Sequence, residues 1–272
     1  MKLTKIFLKY VLPVIILVIA LNITQVTVTD SKTGQPVSFA KVGFFNTDIN
    51  GKCSFLDAVF TTKLSVSRIG YENSDFNVPF GVLFKKIDIP LTEAPFNEIY
   101  NQISNYGSSL DNYQYVLESS DKQAKSATLT TITAKKDGKD FYFKMAISDN
   151  TGTKSTVAIV KGNDMYKSQN GEPLVGPLSE QDKQDFEQTN IVFVSIQDVL
   201  ASALPSDEPS SISFDKNSLI MKWGDSETFN LIIGEKGAIE KIAYTETNSP
   251  IQREGSLSIS SGGITISVDE NG

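Results

Sequence analysis

Apolar and polar residues alternate along most of this chain, and the alternation restricts its possible folds more than any other feature of the sequence. A period of two puts neighbouring side chains on opposite faces of a strand, so that one face can enter a core while the other meets water. Glycine, proline, asparagine and aspartate interrupt the pattern about every ten residues, as turns between short strands do. The sequence therefore predicts a mainly β protein.

The alternating segments form two groups, and a helical pattern lies between them. Pro95 stands where a helix can begin, and Phe96, Ile99 and Ile103 follow it at helical spacing. This change of period predicts a domain boundary near residue 92. The expected strands are 26–28, 39–45, 64–66 and 87–89 before the boundary, and 113–119, 126–135, 139–148, 153–161, 211–214, 217–223, 227–234, 238–246, 255–260 and 263–268 after it.

Two more helices are expected among the strands of the second group. Ser179 and Ser195 are each followed by an acidic residue within three positions, which is the pattern of a helix N-terminus. Pro205 would stop the later helix, because proline cannot continue the hydrogen-bond ladder. These signals predict helices over 179–188 and 195–204.

The first 21 residues, 1–21, have the composition of an export segment. Three lysines and no acidic residue precede an apolar run over residues 10–21. That run has the length of a signal-peptide core but is shorter than the roughly 20 residues that span a bilayer as a helix. Cleavage after Ala20 would release the rest of the chain, and the alternative is an uncleaved membrane anchor that starts at Ile6. Both alternatives predict an exported protein of the periplasm or outer cell envelope.

Composition excludes several functional classes. The chain has no histidine, which removes Ser-His-Asp and Cys-His catalysis and histidine-ligated metal sites. A single cysteine permits neither an intramolecular disulfide nor a CxxC pair. The formal net charge of −7 is unfavourable for binding nucleic acid. We therefore expect a non-catalytic protein without a metal or another cofactor and without a nucleic-acid partner.

Turn and strand motifs of the first group follow one another in a distinctive order. They are Val28-Thr29-Asp30, Thr33-Gly34-Gln35-Pro36-Val37, Ala40-Lys41-Val42, Thr47-Asp48-Ile49-Asn50-Gly51-Lys52-Cys53-Ser54-Phe55, Leu64-Ser65-Val66-Ser67 and Gly70-Tyr71. On these motifs, residues 25–91 resemble the carboxypeptidase regulatory-like domain, which is a transthyretin-like module. The resemblance implies a seven-stranded β-sandwich that is not catalytic and serves as a folding, spacing or interaction module.

The second group has the order helix, meander of long strands, two short helices and second meander. The matching stretches are 96–100, 113–116, 141–145, 158–166, 229–233 and 237–242. On this pattern, residues 95–268 resemble the LolA/LppX superfamily of periplasmic lipoprotein carriers and lipid-binding proteins. The resemblance implies a curved antiparallel half-barrel sheet, with an apolar cavity covered by about three short helices.

Large apolar side chains concentrate on one face of several strands of the second group. Methionine and aromatic side chains adapt to acyl chains, so this face could line a lipid cavity. The alternative is a closed core in which the same side chains pack against the helices, and alternation alone does not distinguish the two. The candidate cavity residues are Phe141, Phe143, Met145, Leu219, Met221, Trp223, Phe229 and Leu231, and the candidate lid residues are Phe186, Phe193 and Leu200.

Together these features favour an exported cell-envelope protein that binds a lipid or the acyl part of a lipoprotein without catalysis. The alternative is an adhesion or scaffold protein whose β domains bind another envelope protein or a glycan. A void in the second domain would favour ligand binding, and a dry packed interior would favour the scaffold. Residues 1–21 would attach the protein to the membrane if they are not cleaved.

Overall fold

The computed structural model describes residues 11–12, 23–56, 63–78, 85–123, 126–189, 195–205, 207–248 and 251–268. Within these ranges the protein is mainly β, with seventeen strands and three helices, as the alternation predicts. Apart from Val11 and Leu12, the expected export segment lies outside the described residues. None of the helices in the described ranges is long and apolar enough to cross a membrane.

The chain divides into two units. The first comprises residues 1–99 and 233–238, and the second comprises residues 100–232 and 239–272. The boundary that the change of period predicts, near residue 92, lies a few residues before the first point of division.

Seven short strands in two sheets form the first unit, in agreement with the expected β-sandwich. One sheet has the order β4-β1-β7 and the other has the order β3-β2-β5-β6. Burial alternates along the strands, so that Val28, Val66 and Ile89 are buried while their neighbours are more exposed. The strands are β1 Ile23–Asp30, β2 Lys41–Val42, β3 Phe45–Asn46, β4 Lys52–Leu56, β5 Lys63–Ser67, β6 Ser74–Asn77 and β7 Lys85–Leu91.

The predicted strand over residues 39–45 is wrong. Phe39 has a φ of 57° and Gly43 a φ of 59°, so the backbone turns at both positions. Two-residue strands, β2 and β3, pair across the second turn, with Val42 opposite Phe45. A left-handed glycine at such a turn is the usual geometry of a tight hairpin, and it interrupts what the apolar alternation suggested was one strand.

A buried carboxylate closes the turn that follows β1. Asp30 is 4% exposed, and its Oδ1 accepts hydrogen bonds from the backbone N–H groups of Lys32 and Thr33 at 2.9 and 2.7 Å. Its Oδ2 accepts a hydrogen bond from the Tyr71 hydroxyl at 3.1 Å. Burial alone would raise the pKa of Asp30, but the hydrogen bonds outweigh burial and hold this pKa below its ordinary value of 3.8.

We expect the Asp30→Asn variant to flatten the acid dependence of the first unit's stability. Because the folded pKa of Asp30 is lowered, its contribution is present above the unfolded pKa, near 3.8, and is lost as the pH falls through the folded pKa. The replacement by asparagine should lower the free energy of unfolding by roughly 2 kcal/mol at pH 7 and by less at pH 3. Urea unfolding at both pH values measures this difference, and the control is Asp88→Asn, because Asp88 is exposed. An unchanged pH dependence would contradict it.

The second unit contains a ten-stranded antiparallel sheet in the order β12-β11-β10-β9-β8-β17-β16-β15-β14-β13. Its edges are β12 and β13, so the sheet is not closed, as expected for a half-barrel. The elements are α1 Phe96–Ser108, β8 Asn112–Gln123, β9 Ser126–Asp137, β10 Asp140–Asp149, β11 Gly152–Lys161, β12 Asp164–Gln169, α2 Glu180–Thr189, α3 Ile196–Ala203, β13 Ser211–Asp215, β14 Ser218–Trp223, β15 Glu227–Ile233, β16 Ile239–Asn248 and β17 Ile251–Ser261.

Strand register divides the large side chains of this sheet between two faces. Tyr115 lies opposite Ala134, Ala134 lies opposite Phe143, and Phe143 lies opposite Ala158. Residues directly opposite each other in an antiparallel pair share a face, so these four belong to one face, here called the inner face. The outer face carries the alternate residues, such as Tyr142.

The predicted strand over residues 263–268 is also wrong. The segment is irregular, and the Asn112 side chain holds it by donating to the Ile264 carbonyl and accepting from the Ile264 N–H, at 2.9 and 3.0 Å. Its apolar residues alternate because Ile266 packs on the outer face, not because the segment pairs with a strand. The buried cluster there consists of Ile266, Tyr142, Val157 and Ile159.

Candidate ligand-binding cavity

The second unit contains a cavity of about 570 Å³. Side chains of the inner face of the sheet line one side of it, and α3 with the residues that follow it lines the other. Its volume lies within the range of roughly 300–1,000 Å³ that is typical of small-molecule sites. The second unit therefore has a partly open cavity between the sheet and α3, and this region is not completely packed.

Strand register makes the apolar wall of the cavity continuous. Leu117 lies opposite Ile132 on β9 and opposite Leu257 on β17, and Leu257 lies opposite Ile242 on β16. Such neighbours have Cβ atoms about 5 Å apart, close enough for their side chains to touch. Phe229 on β15 extends this wall. Five neighbouring strands thus present one apolar surface to the cavity.

Helix α3 supplies the facing wall through Val199 and Ala203. The helix begins after Ser195, whose Oγ accepts a hydrogen bond from the Asp198 N–H at 3.1 Å. This cap satisfies one of the backbone donors that a helix N-terminus leaves without an intrahelical partner. The sequence prediction of a capped helix ahead of Pro205 is confirmed.

Contacts with β8 and α1 fix α3 in position. The Ile196 N–H donates a hydrogen bond to the Tyr113 hydroxyl at 3.2 Å. The Tyr100 hydroxyl donates to the Ala201 carbonyl, also at 3.2 Å. Gly107 of α1 lies so close to α3 that a Cβ atom at this position would be 2.8 Å from the Cα of Gln197. Only glycine permits this close approach between the two helices.

The cavity changes from apolar to charged along its length. Phe229, Ile242 and Leu257 are each no more than 2% exposed, whereas Glu227 and Glu246 are half-buried. These two glutamates lie at the open end together with Trp223 and the exposed Arg253. We call Trp223, Glu227, Glu246 and Arg253 the mouth residues.

Ion pairs across three strands form one side of the mouth. The Arg253 Nη1 lies 3.3 Å from Glu246 Oε2, and the Arg253 Nε lies 3.4 Å from Asp121 Oδ1. On the other side, Trp223 lies opposite Glu227 in the strand register. The Trp223 indole N–H donates a hydrogen bond to the Asp207 carbonyl at 2.7 Å, which restrains the ring at the opening.

Burial favours the neutral forms of two tyrosines in the second unit and of the one cysteine. Burial raises the pKa of Tyr115, which lines the cavity, and it raises the pKa of Tyr113 despite the hydrogen bond from Ile196. Burial, with the charge of Asp48 as a smaller cause, raises the pKa of the half-buried Cys53 thiol to about 11. Among the described residues, no group of three cysteine, aspartate or glutamate side chains could hold a metal ion.

The structure places the candidate cavity residues in different environments. Trp223 and Phe229 line the cavity. Phe143 and Leu231 are buried without lining it, and so are Leu219 and Met221. Phe141 and Met145 are half-buried and lie outside the lining.

Of the three candidate lid residues, the structure describes the side chain of one. Leu200 is buried in α3, and its neighbour Val199 lines the cavity instead. Phe193 and the side chain of Phe186 lie outside the described residues.

Several lining residues were not among the sequence-based candidates. All of them except Val199 of α3 lie on β8, β9, β16 and β17 and show the same period-two alternation as the candidates. Their identification required the position of α3. They are Tyr115, Leu117, Ile132, Val199, Ile242 and Leu257.

No protein-family model and no curated protein matches the chain. Among solved structures, the chain is similar to a LolA superfamily protein from Nitrosomonas europaea, at 10% identity and a TM-score of 0.24, over 61% of this chain and 94% of that one. It is similar to a DUF1329 family protein from Desulfovibrio piger, at 11% identity and a TM-score of 0.23, over 64% and 95% of the two chains. A protein of unknown function from Bacteroides fragilis, described as membrane-associated, has 11% identity and a TM-score of 0.22, over 87% and 94%. Membership of residues 95–268 in the LolA/LppX superfamily stays a prediction, as does the carboxypeptidase regulatory-like assignment of residues 25–91.

Proposed function

We propose that this protein binds a lipid or an acylated ligand in the cavity of its second unit and does not transform it chemically. The observation that carries the proposal is an apolar cavity of about 570 Å³ with charged residues at one end. A scaffold protein has no need of such a void, because packed side chains stabilise a domain better than empty space does. The composition of residues 1–21 supports a place in the cell envelope.

The apolar wall supplies the binding free energy that this function needs. Transfer of a methylene group from water to an apolar site contributes about 0.8 kcal/mol. Fifteen buried methylenes would contribute about 12 kcal/mol, and the loss of translational and conformational freedom opposes about 4 kcal/mol of this. The net affinity that we expect for a long acyl chain is in the micromolar range.

A non-catalytic role is supported by the chemistry of the cavity. The chain has no histidine, and burial keeps the Tyr115 phenol protonated. The charged side chains stand at the mouth, where Arg253 pairs with Glu246. Holding a ligand requires only the apolar wall and this polar rim.

We expect the Ala203→Trp variant to lose acyl-chain binding while it stays folded. Ala203 faces the cavity from the end of α3, so an indole at this position would occupy volume that the ligand needs. The matched control is Lys222→Trp, which adds the same bulk at an exposed position of β14. Titration with a fluorescent fatty-alcohol probe, whose head group carries no charge, should show at least a tenfold weaker affinity for Ala203→Trp and an unchanged affinity for Lys222→Trp.

Native mass spectrometry of the protein purified from its own cells tests the same proposal without a probe. We expect a fraction of molecules to carry extra mass equal to one lipid, and that mass should be absent from Ala203→Trp. A clean unliganded mass, together with no probe binding by the wild-type chain, would contradict the proposed function.

A further inference from the structure

We infer that the cavity takes the single acyl chain of an amphiphile whose head group is zwitterionic or cationic, and that the mouth residues hold this head group. The inference rests on the proposed function and adds the chemical class of the ligand. It follows from the cavity volume, from the change from apolar to charged lining along the cavity, and from the balance of charges at the mouth.

The volume limits the ligand to one chain. A methylene group fills about as much space as a water molecule in the liquid, roughly 30 Å³. The cavity volume of about 570 Å³ is therefore filled by about 19 methylene-sized groups. One long acyl chain fits within this number, and a second chain of similar length would need about twice the volume.

The change in lining sets the direction in which the chain enters. The deep wall is apolar and closed to water at Phe229, Ile242 and Leu257. A charged head group placed there would lose its hydration without gaining a partner, which is strongly unfavourable. The tail therefore lies against the deep wall, and the head group stays at the mouth among Glu227, Glu246 and water.

The charge balance at the mouth selects the head group. Arg253 is the one cation among the mouth residues, and two carboxylates, those of Glu246 and Asp121, already lie within 3.4 Å of it. Glu227 adds a third carboxylate, so three negative charges face one positive charge. An anionic head group would meet net repulsion, whereas an amine or quaternary ammonium group would be attracted.

Trp223 adds a second attraction for a positive head group. Its indole ring lies at the opening, where the hydrogen bond to Asp207 restrains it, and it neighbours Glu227 in the strand register. Aromatic faces attract cations, and an aromatic ring beside carboxylates is a common arrangement for binding ammonium groups. A phosphate in a zwitterionic head group can accept a hydrogen bond from Arg253 while its amine faces the glutamates.

Two lysolipids with the same acyl chain and different head groups test the inference on the full chain. Lysophosphatidylcholine and lysophosphatidylglycerol, each below its micelle concentration, compete with a fluorescent fatty-alcohol probe, whose head group carries no charge. We expect lysophosphatidylcholine to bind about tenfold more tightly at low salt. The preference should shrink as salt screens the mouth charges.

Variants that neutralise single carboxylates test whether the mouth residues cause the preference for lysophosphatidylcholine. Glu227→Gln should reduce the ratio of the two affinities severalfold. Glu246→Gln should reduce it further, because this variant removes a carboxylate and also releases Arg253 from an ion pair. The matched control is Glu254→Gln on the outer face of β17, next to Lys122, and it should leave the ratio unchanged.

The possible results separate the inference from the proposed function. Equal affinities, or tighter binding of lysophosphatidylglycerol, would overturn the head-group inference while leaving the proposed function intact. An equal loss of preference in Glu254→Gln would also overturn it, because the mouth would then not be the source. Binding of neither lysolipid, with no binding of the probe, would overturn the proposed function itself.

Discussion

Replacing Phe143 with glutamate is expected to unfold the second unit and not simply to block ligand binding. Phe143 is 2% exposed on the inner face of β10, and it does not line the cavity. A carboxylate at this position would be buried without a partner, which costs several kcal/mol. Domains of this size have a free energy of unfolding of about 5–15 kcal/mol, so we expect a loss of more than about 4 kcal/mol.

Urea unfolding followed by tryptophan fluorescence measures this effect in the second unit alone, because Trp223 is the only tryptophan of the chain. The matched control is Ile147→Glu, on the same face of the same strand, because Ile147 is 37% exposed and its replacement can stay in water. A Phe143→Glu protein with a normal midpoint but no ligand binding would mean that Phe143 borders the void.

The Gly51→Ala variant is expected to destabilise the first unit by more than about 3 kcal/mol. Gly51 has a φ of 69°, and a Cβ atom there would lie 2.5 Å from the Val28 carbonyl oxygen and 3.0 Å from the Val37 nitrogen. Both are backbone atoms, and the Val28 N–H donates a hydrogen bond to the Gly51 carbonyl at 2.8 Å. The strand cannot move away without loss of that bond, so alanine combines backbone strain with a steric clash.

Gly34→Ala separates the two contributions. Gly34 has a φ of 70°, nearly the same as Gly51, but nothing lies within 4 Å of the position of its Cβ atom. Its replacement should cost only about 1 kcal/mol, from backbone conformation alone. Hydrogen exchange of the β1 and β4 amides measures the stability of the first unit, which Trp223 of the second unit does not report. Equal losses of protection in the two variants would show that the close approach at Gly51 contributes nothing.

Local signals in the sequence predicted the individual elements well. The alternation of Phe141, Phe143, Met145 and Ile147 predicted a strand, and these residues lie in β10. Ser195 predicted the start of α3, which begins at Ile196. Such features depend only on residues a few positions apart, and the sequence contains all the information they need.

The cavity could not be predicted in the same way. Phe143 and Phe229 are both aromatic residues on the apolar face of a strand, yet only Phe229 lines the void. The difference depends on where α3 lies against the sheet, and therefore on the Gly107 contact and on the hydrogen bond to Tyr113. Alternation also predicted a strand at 263–268 that is absent, because a buried side chain can pack on a sheet without its backbone joining one.

The charged side of the mouth also depends on tertiary structure that the sequence pattern does not show. Asp121, Arg253 and Glu246 come together because β17 pairs with both β8 and β16 in one particular register. A shift of one residue would place Arg253 on the outer face. Nothing near these residues in the sequence indicates the pairing.

The pairing of β8 with β17 also has a consequence for how the chain folds. β8 is the first strand of the unit and β17 is the last, so the two paired strands are separated in sequence by almost the whole domain. Closing so long a loop is slow, because the entropy loss precedes the gain from pairing. Until β17 is available, β8 is an unpaired edge that can join another chain. For a protein that emerges from a ribosome or translocon with its N-terminus first, the interval before β17 appears is the interval in which this edge must be protected from aggregation.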